Sequence, residues 1–187
     1  MKPAAVRYIA YGQACFVAGL LLCAMLRPEG LSANGGLSYY GVYRETIMPY
    51  LLMLLGPAYF LIKTAELFTR PELKTVRYAL TAMGLLIIGV IATPDSLNNF
   101  FDGLHRAFGI PLFVLQLLFS GWLVVRMRYD PRAILLWGVE LAGGIWSFIW
   151  LAPLHGWSLE SQAVFQLAFG SLLLYAFAQP RGDGWHI

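Results

Sequence analysis

A chain of 187 residues that is 59% hydrophobic, 15% aromatic and only 12% charged falls well below the roughly 25% charged residues of an ordinary soluble domain. Water is not its solvent. The net charge of +3 divides by membrane side, as set out next, and leaves no basic patch for a nucleic-acid partner.

The apolar residues gather into six blocks, about 8–26, 47–63, 76–93, 108–125, 133–152 and 161–178. Each has roughly the length an α-helix rising 1.5 Å per residue needs to cross about 30 Å of hydrocarbon. The expected fold is all-α: one domain over residues 1–187, a polytopic bundle of six transmembrane helices. Assigning the connections alternately to two sides puts Lys2, Arg7, Lys63, Arg70, Lys74, Arg77, Arg126, Arg128, Arg132 and Arg181 on one side, and Arg27, Arg44 and Arg106 on the other. This bias predicts cytoplasmic N and C termini and a multi-pass protein of the plasma membrane. An odd number of spans would spoil the partition.

In block one, Cys15 and Cys23 are eight residues apart, about 12 Å along a helix, beyond disulfide reach. They read as small apolar packing residues. Lys2 and Arg7 before an apolar run resemble a signal peptide, but Leu31-Ser32-Ala33 is a poor small-x-small cleavage site, so an uncleaved first helix is expected. The block ends at Arg27-Pro28, where proline stops the helix. The outer loop 27–46 follows, with four glycines and Tyr39, Tyr40 and Tyr43, whose apolar rings and polar tips suit the headgroup layer. It reads either as a passive interfacial loop or as a lid that contacts a ligand.

Block two carries Pro49 and Pro57, and a kink is expected between Leu52 and Tyr59. The basic turn from Lys63 to Arg77 suits anionic lipid. After Thr93-Pro94, Asp95 can cap a new helix in which Leu97, Phe100, Phe101, Leu104 and Phe108 form one stripe and Asn98, Asp102 and His105 another. This spacing predicts an interfacial helix over 95–106 that runs into block four or bends at Gly109 to Pro111. In the alternative, a loop precedes Asp102 as the cap of helix four. Either geometry brings Asp102 and His105 within reach of each other.

Block five holds Glu140, eight residues past Arg132 in sequence and roughly 10 Å inside the hydrocarbon. Gly138, Ala142, Gly143 and Gly144 around it permit close helix approach, so the carboxyl group is expected to face the bundle interior. There it should be uncharged, hydrogen-bonded or in a wet cavity. Gln13 is a candidate partner at similar depth, and Gln116 lies deeper. Block six carries Gln162 and Gln166 near its outer end. The two halves of three spans share no proline or polar pattern, which weighs against an inverted-repeat transporter.

Two constellations could carry chemistry. The outer one comprises Asp102, His105 and His155 as catalytic candidates, with Ser32, Asn34, Ser38, Arg44 and Asn98 beside Asp102 and His105 as ligand-binding candidates; Glu45 and Asn99 are further contributors. A carboxylate next to an imidazole can orient it as a general base. No dense metal-binding pattern accompanies it. The inner constellation is Glu140 with Gln13 and Gln116. The chain has no Gly-x-Ser-x-Gly, phosphate loop, dinucleotide fingerprint or Cys-x-x-Cys, and no cofactor is indicated.

A first span, then Leu31-Ser32-Ala33-Asn34-Gly35-Gly36 outside, an aromatic approach with Arg44 to span two, and His105 entering span four together resemble the six-span superfamily of DRAM and Sfk-type membrane proteins and their prokaryotic relatives. The resemblance covers most of the chain by layout, and by residues the Ser-x-x-Gly at Ser32 to Gly35 and the His105 region. It implies a six-helix bundle in which the outer loop neighbours His105, with a role in lipid organisation or lipid-anchor remodelling. The proline usual after Ser-x-x-Gly is missing, since the chain reads Leu37-Ser-Tyr-Tyr-Gly.

The expected function is a membrane protein whose outward-facing polar pocket, roofed by 29–46 and 94–108, binds lipid headgroups or a small amphiphile, with membrane lipids as partners. The alternatives are a membrane-embedded lipid hydrolase or transferase using His105, Asp102 and His155; a small transporter or proton-coupled protein using Glu140; and an accessory subunit that meets a membrane-protein partner or a second copy of itself.

Overall fold

A computed structural model describes residues 3–31, 36–94, 99–150 and 158–179, with side chains except at 148–150. Its regular elements are all helical: α1 (Pro3–Leu26), α2 (Ile47–Glu66), α3 (Lys74–Ala92), α4 (Asn99–Arg126), α5 (Pro131–Trp150) and α6 (Leu159–Ala178), with short 3-10 turns at Pro28–Leu31, Gly36–Val42 and Pro71–Leu73. Among the described residues, α1, α2, α3 with its leading turn, α4 and α6 are each long and apolar enough to cross a membrane. The protein is therefore a helical membrane protein. The 20 residues of α5 carry Glu140 and the interfacial Arg132.

Helices α1 and α2 form a close antiparallel pair. The buried face of α1 is Ala5, Ile9, Gly12, Phe16, Gly19 and Cys23, alternating steps of four and three as in left-handed helix pairs. Gly19 lets the backbone of α2 come so near that a Cβ there would lie 2.6 Å from the Pro49 carbonyl oxygen. The Cys15 side chain fills the space over Gly56, and α2 runs unbroken through Pro57. Both cysteines are free thiols.

The segment expected as an interfacial helix over 95–106 belongs, from Asn99 onward, to α4 itself, which passes through Gly109 and Pro111 without interruption; residues 95–98 lie outside the described part. Its 28 residues span about 42 Å, more than the roughly 30 Å of hydrocarbon. No residue of α4 before Leu112 is buried, and its first two turns carry Asp102, His105 and Arg106.

The turn from α4 to α5 uses left-handed backbone at Arg128 and Tyr129, with φ of 54° and 59°. Asp130 then caps α5, its Oδ1 accepting from the Arg132 amide at 2.9 Å, the Ala133 amide at 3.2 Å and the Tyr175 hydroxyl at 3.1 Å. Burial opposes ionisation of Asp130, but these donors and the Arg132 charge outweigh it and hold the carboxyl below the usual range.

Helix α6 stands at the centre, touching α1, α4, α5 and the outer 3-10 turns. Only Glu160, Leu167, Ser171 and Ala178 along it are exposed, a single narrow line at helical spacing. Against it, Gly143 of α5 is so close that a Cβ would sit 2.9 Å from the Phe165 amide nitrogen. The Phe113 and Phe165 rings stack at 4.3 Å between α4 and α6. A short chain of hydroxyls, Ser147 to Ser161 at 2.7 Å and Ser158 to Ser161 at 3.0 Å, completes the α5–α6 contact.

Candidate functional site

The connection between α1 and α2 is organised by residues that tie its ends together. Arg27 places its guanidinium 3.7 Å from the Tyr43 ring centroid, donates to Glu29 at 2.7 Å and lies 3.8 Å from Glu45. A hydrogen bond from its own backbone amide and the Arg27 partner hold the Glu29 carboxyl below its ordinary range. Thr46, fully buried, donates to the Tyr40 carbonyl at 2.6 Å. Gly36 takes a left-handed φ of 55° against the Gln162 side chain, a conformation open to glycine at little cost. The turn so formed lets the Leu37 amide donate to Gln162 Oε1 at 2.8 Å. Tyr40 is wholly enclosed, its ring covering Gly30, and burial raises its phenol above the ordinary value.

This framework presents Ser38 to His105 on α4. The Ser38 hydroxyl lies 2.9 Å from His105 Nε2. His105 Nδ1 lies 2.7 Å from the Thr93 carbonyl oxygen and 3.2 Å from that of Val90. Carbonyl oxygens only accept, so Nδ1 carries the hydrogen; Nε2 of the neutral ring then accepts from Ser38. Both side chains keep partial exposure.

The expected pairing of Asp102 with His105 gives way to a different one. Asp102 binds Arg106 through two contacts, Nε to Oδ1 at 3.1 Å and a terminal guanidinium nitrogen to Oδ2 at 3.0 Å. The i,i+4 spacing suits this pair, and backbone carbonyls at the end of α3 have taken the orienting position at the imidazole. Arg44, Glu45 and Asn99 are exposed nearby in the chain. Ser32, Asn34, Asn98 and His155 lie outside the described residues.

The inner candidates separate into two places. Glu140 is fully buried, and neither carboxyl oxygen has a hydrogen-bond partner among the described residues. Its polar neighbour is Ser120 on α4, whose hydroxyl is also buried without a bond, as is Trp137 Nε1 one turn earlier on α5. Gln13, expected beside Glu140, instead lies over Gly170 of α6, where a Cβ would overlap its amide. Gln116 exchanges two hydrogen bonds with Gln166, at 2.9 and 3.1 Å. Gln13, Gln116 and Gln166 share a cavity of about 30 Å³ with Phe16, Pro57 and Phe169, room for about one ordered water.

Sequence reasoning did not assign roles to Gln162, Gln166, Ser120 or the Thr93 carbonyl. Gln162 and Gln166 carry a signal, being amides one turn apart in an apolar helix; the other two carry none. Among the described residues no three His, Cys, Asp or Glu side chains converge as metal ligands. No family model, curated protein or solved structure matches the chain.

Proposed function

We propose that the chain is a plasma-membrane protein of six spans with cytoplasmic termini, and that it binds a lipid headgroup or small amphiphile on its outer face. The bound group would lie between the 27–46 connection and the first turns of α4. The observation that carries this reading is the contact of Ser38 with His105, two partly exposed polar residues joined across 67 positions at one end of an apolar bundle. The same two segments carry exposed Arg44 and Asn99 and the Asp102–Arg106 pair, groups that suit a phosphate or a zwitterion. Tyr39 and Tyr43, with rings 4.9 Å apart, supply the amphipathic surface favoured at a headgroup layer.

The length of α5 and the ten-to-three division of Lys and Arg support six spans and cytoplasmic ends. The resemblance to DRAM and Sfk-type proteins, and association with a second copy or another membrane protein, belong to the same proposal. Its test is the lipid that co-purifies with the protein in mild detergent, quantified by mass spectrometry. Alanine at His105 or Asp102 should lower recovery about tenfold, the equivalent of one charge-assisted hydrogen bond. Unchanged lipid content in both folded variants refutes the site.

A further inference from the structure

We propose that Ser38 and His105 are the nucleophile and general base of an acyl-transfer site acting on a lipid ester, a proposal that rests on the lipid-binding reading of the same outer face. The Ser38–His105 separation of 2.9 Å lies in the range for a nucleophile and its base. The Nδ1 hydrogen is held by the Thr93 and Val90 carbonyls, so in the neutral ring the free lone pair points at the serine hydroxyl. A base oriented by a third group is the arrangement that activates a serine, and backbone carbonyls here take the position a carboxylate holds in a triad.

A purely structural pin explains less. The connection is already fixed by Gln162 on the Leu37 amide, by Thr46 on the Tyr40 carbonyl and by the Arg27 contacts, so the Ser38 bond is not needed to hold it. Ser38 and His105 have also stayed partly exposed, while Tyr40, two residues on, is enclosed completely. Their level matches the substrate class. In the proposed topology the first two turns of α4 stand at the outer edge of the hydrocarbon, where lipid ester carbonyls lie.

In the first step Ser38 Oγ bonds to the ester carbonyl carbon as His105 Nε2 takes the hydroxyl proton. The tetrahedral adduct collapses, the bond from carbonyl carbon to alcohol oxygen breaks, and the alcohol leaves with the proton from Nε2. Water, or a second lipid alcohol, then gives its proton to Nε2 and attacks the acyl-Ser38 ester. A carboxylic acid or a new ester departs, and Ser38 recovers its proton.

The test treats purified full-length protein in detergent with a fluorophosphonate probe and locates the adduct by peptide mass spectrometry. Wild type should carry it on Ser38, and His105→Gln should slow labelling about 100-fold, the typical contribution of a general base. Turnover of p-nitrophenyl butyrate should vanish in Ser38→Ala, with an unchanged gel-filtration profile in the same detergent showing that the variant is folded. Wild-type protein that retains lipid but gives no adduct overturns the catalytic pair and leaves lipid binding standing. Protein with neither lipid nor adduct overturns both.

Discussion

At Glu140 a carboxyl group sits fully buried with the Ser120 hydroxyl as a polar neighbour, and neither oxygen is within hydrogen-bond geometry of a partner among the described residues. Burying a polar group without a partner costs about 1–3 kcal/mol, and removing it in favour of an apolar residue of similar volume is often stabilising. Glu140→Leu should therefore raise the unfolding midpoint in detergent, by the equivalent of about 1–3 kcal/mol. A clear drop would mean that the carboxyl group makes a stabilising bond after all. Such a group in place of a leucine marks a position held for something other than stability. The depth of Glu140 can be counted along α5 from Arg132. That Ser120 and not Gln13 stands beside it cannot be counted, because the partner depends on how three helices rotate about their axes.

The pairing of α1 with α2 is decided by its glycines. A Cβ at Gly19 would meet the Pro49 carbonyl at 2.6 Å and the Met53 amide nitrogen at 2.7 Å, backbone atoms that move only if the helices part. Gly19→Ala should destabilise by about 1–3 kcal/mol, the usual result of overpacking. Gly103 lies in the exposed first turns of α4, where an added Cβ would meet nothing within 4 Å. Gly103→Ala should be neutral or gain up to about 1 kcal/mol of helix propensity. Unfolding midpoints of the two variants in one detergent check the contrast; equal effects would show that the α1–α2 approach does not limit stability. At this scale much can be read in advance. The blocks around 8–26 and 47–63 lie within α1 and α2 because length and hydropathy suffice to find a helix in lipid. For the 95–106 segment that reading left two outcomes open, a helix running into block four or a bend at Gly109 to Pro111, and from Asn99 the helix is continuous. Gly109 and Pro111 argue for a break, yet Pro111 sits in a helix that continues through it, as lipid-embedded helices permit when neighbours satisfy the freed carbonyl.

For the molecule as a whole, the side on which each end lies decides what the outer site can meet. A fluorescent protein fused after residue 179 should fold and fluoresce in the cytoplasm, and alkaline phosphatase fused after Arg44 should be active outside. Active phosphatase at residue 179 would require an odd number of spans and would overturn the proposed topology. The charge division between connections was legible because it needs no knowledge of packing. The Ser38–His105 contact was not, although both residues were candidates: it joins positions 67 apart, and it depends on the left-handed Gly36, on Gln162 and on the carbonyls ending α3, none of which leaves a periodic trace.

Among the described helices, the central one follows the other five in chain order. A ribosome delivers α1 to α5 before α6, so the nascent bundle has an empty middle until α6 emerges. During that interval the Gln116 amide lacks Gln166, the Ser147 hydroxyl lacks Ser161, and the turn at Gly36 lacks the Gln162 oxygen that receives the Leu37 amide. These three contacts therefore wait for α6, and the turn that presents Ser38 is completed by a helix that contributes neither Ser38 nor His105 to the site.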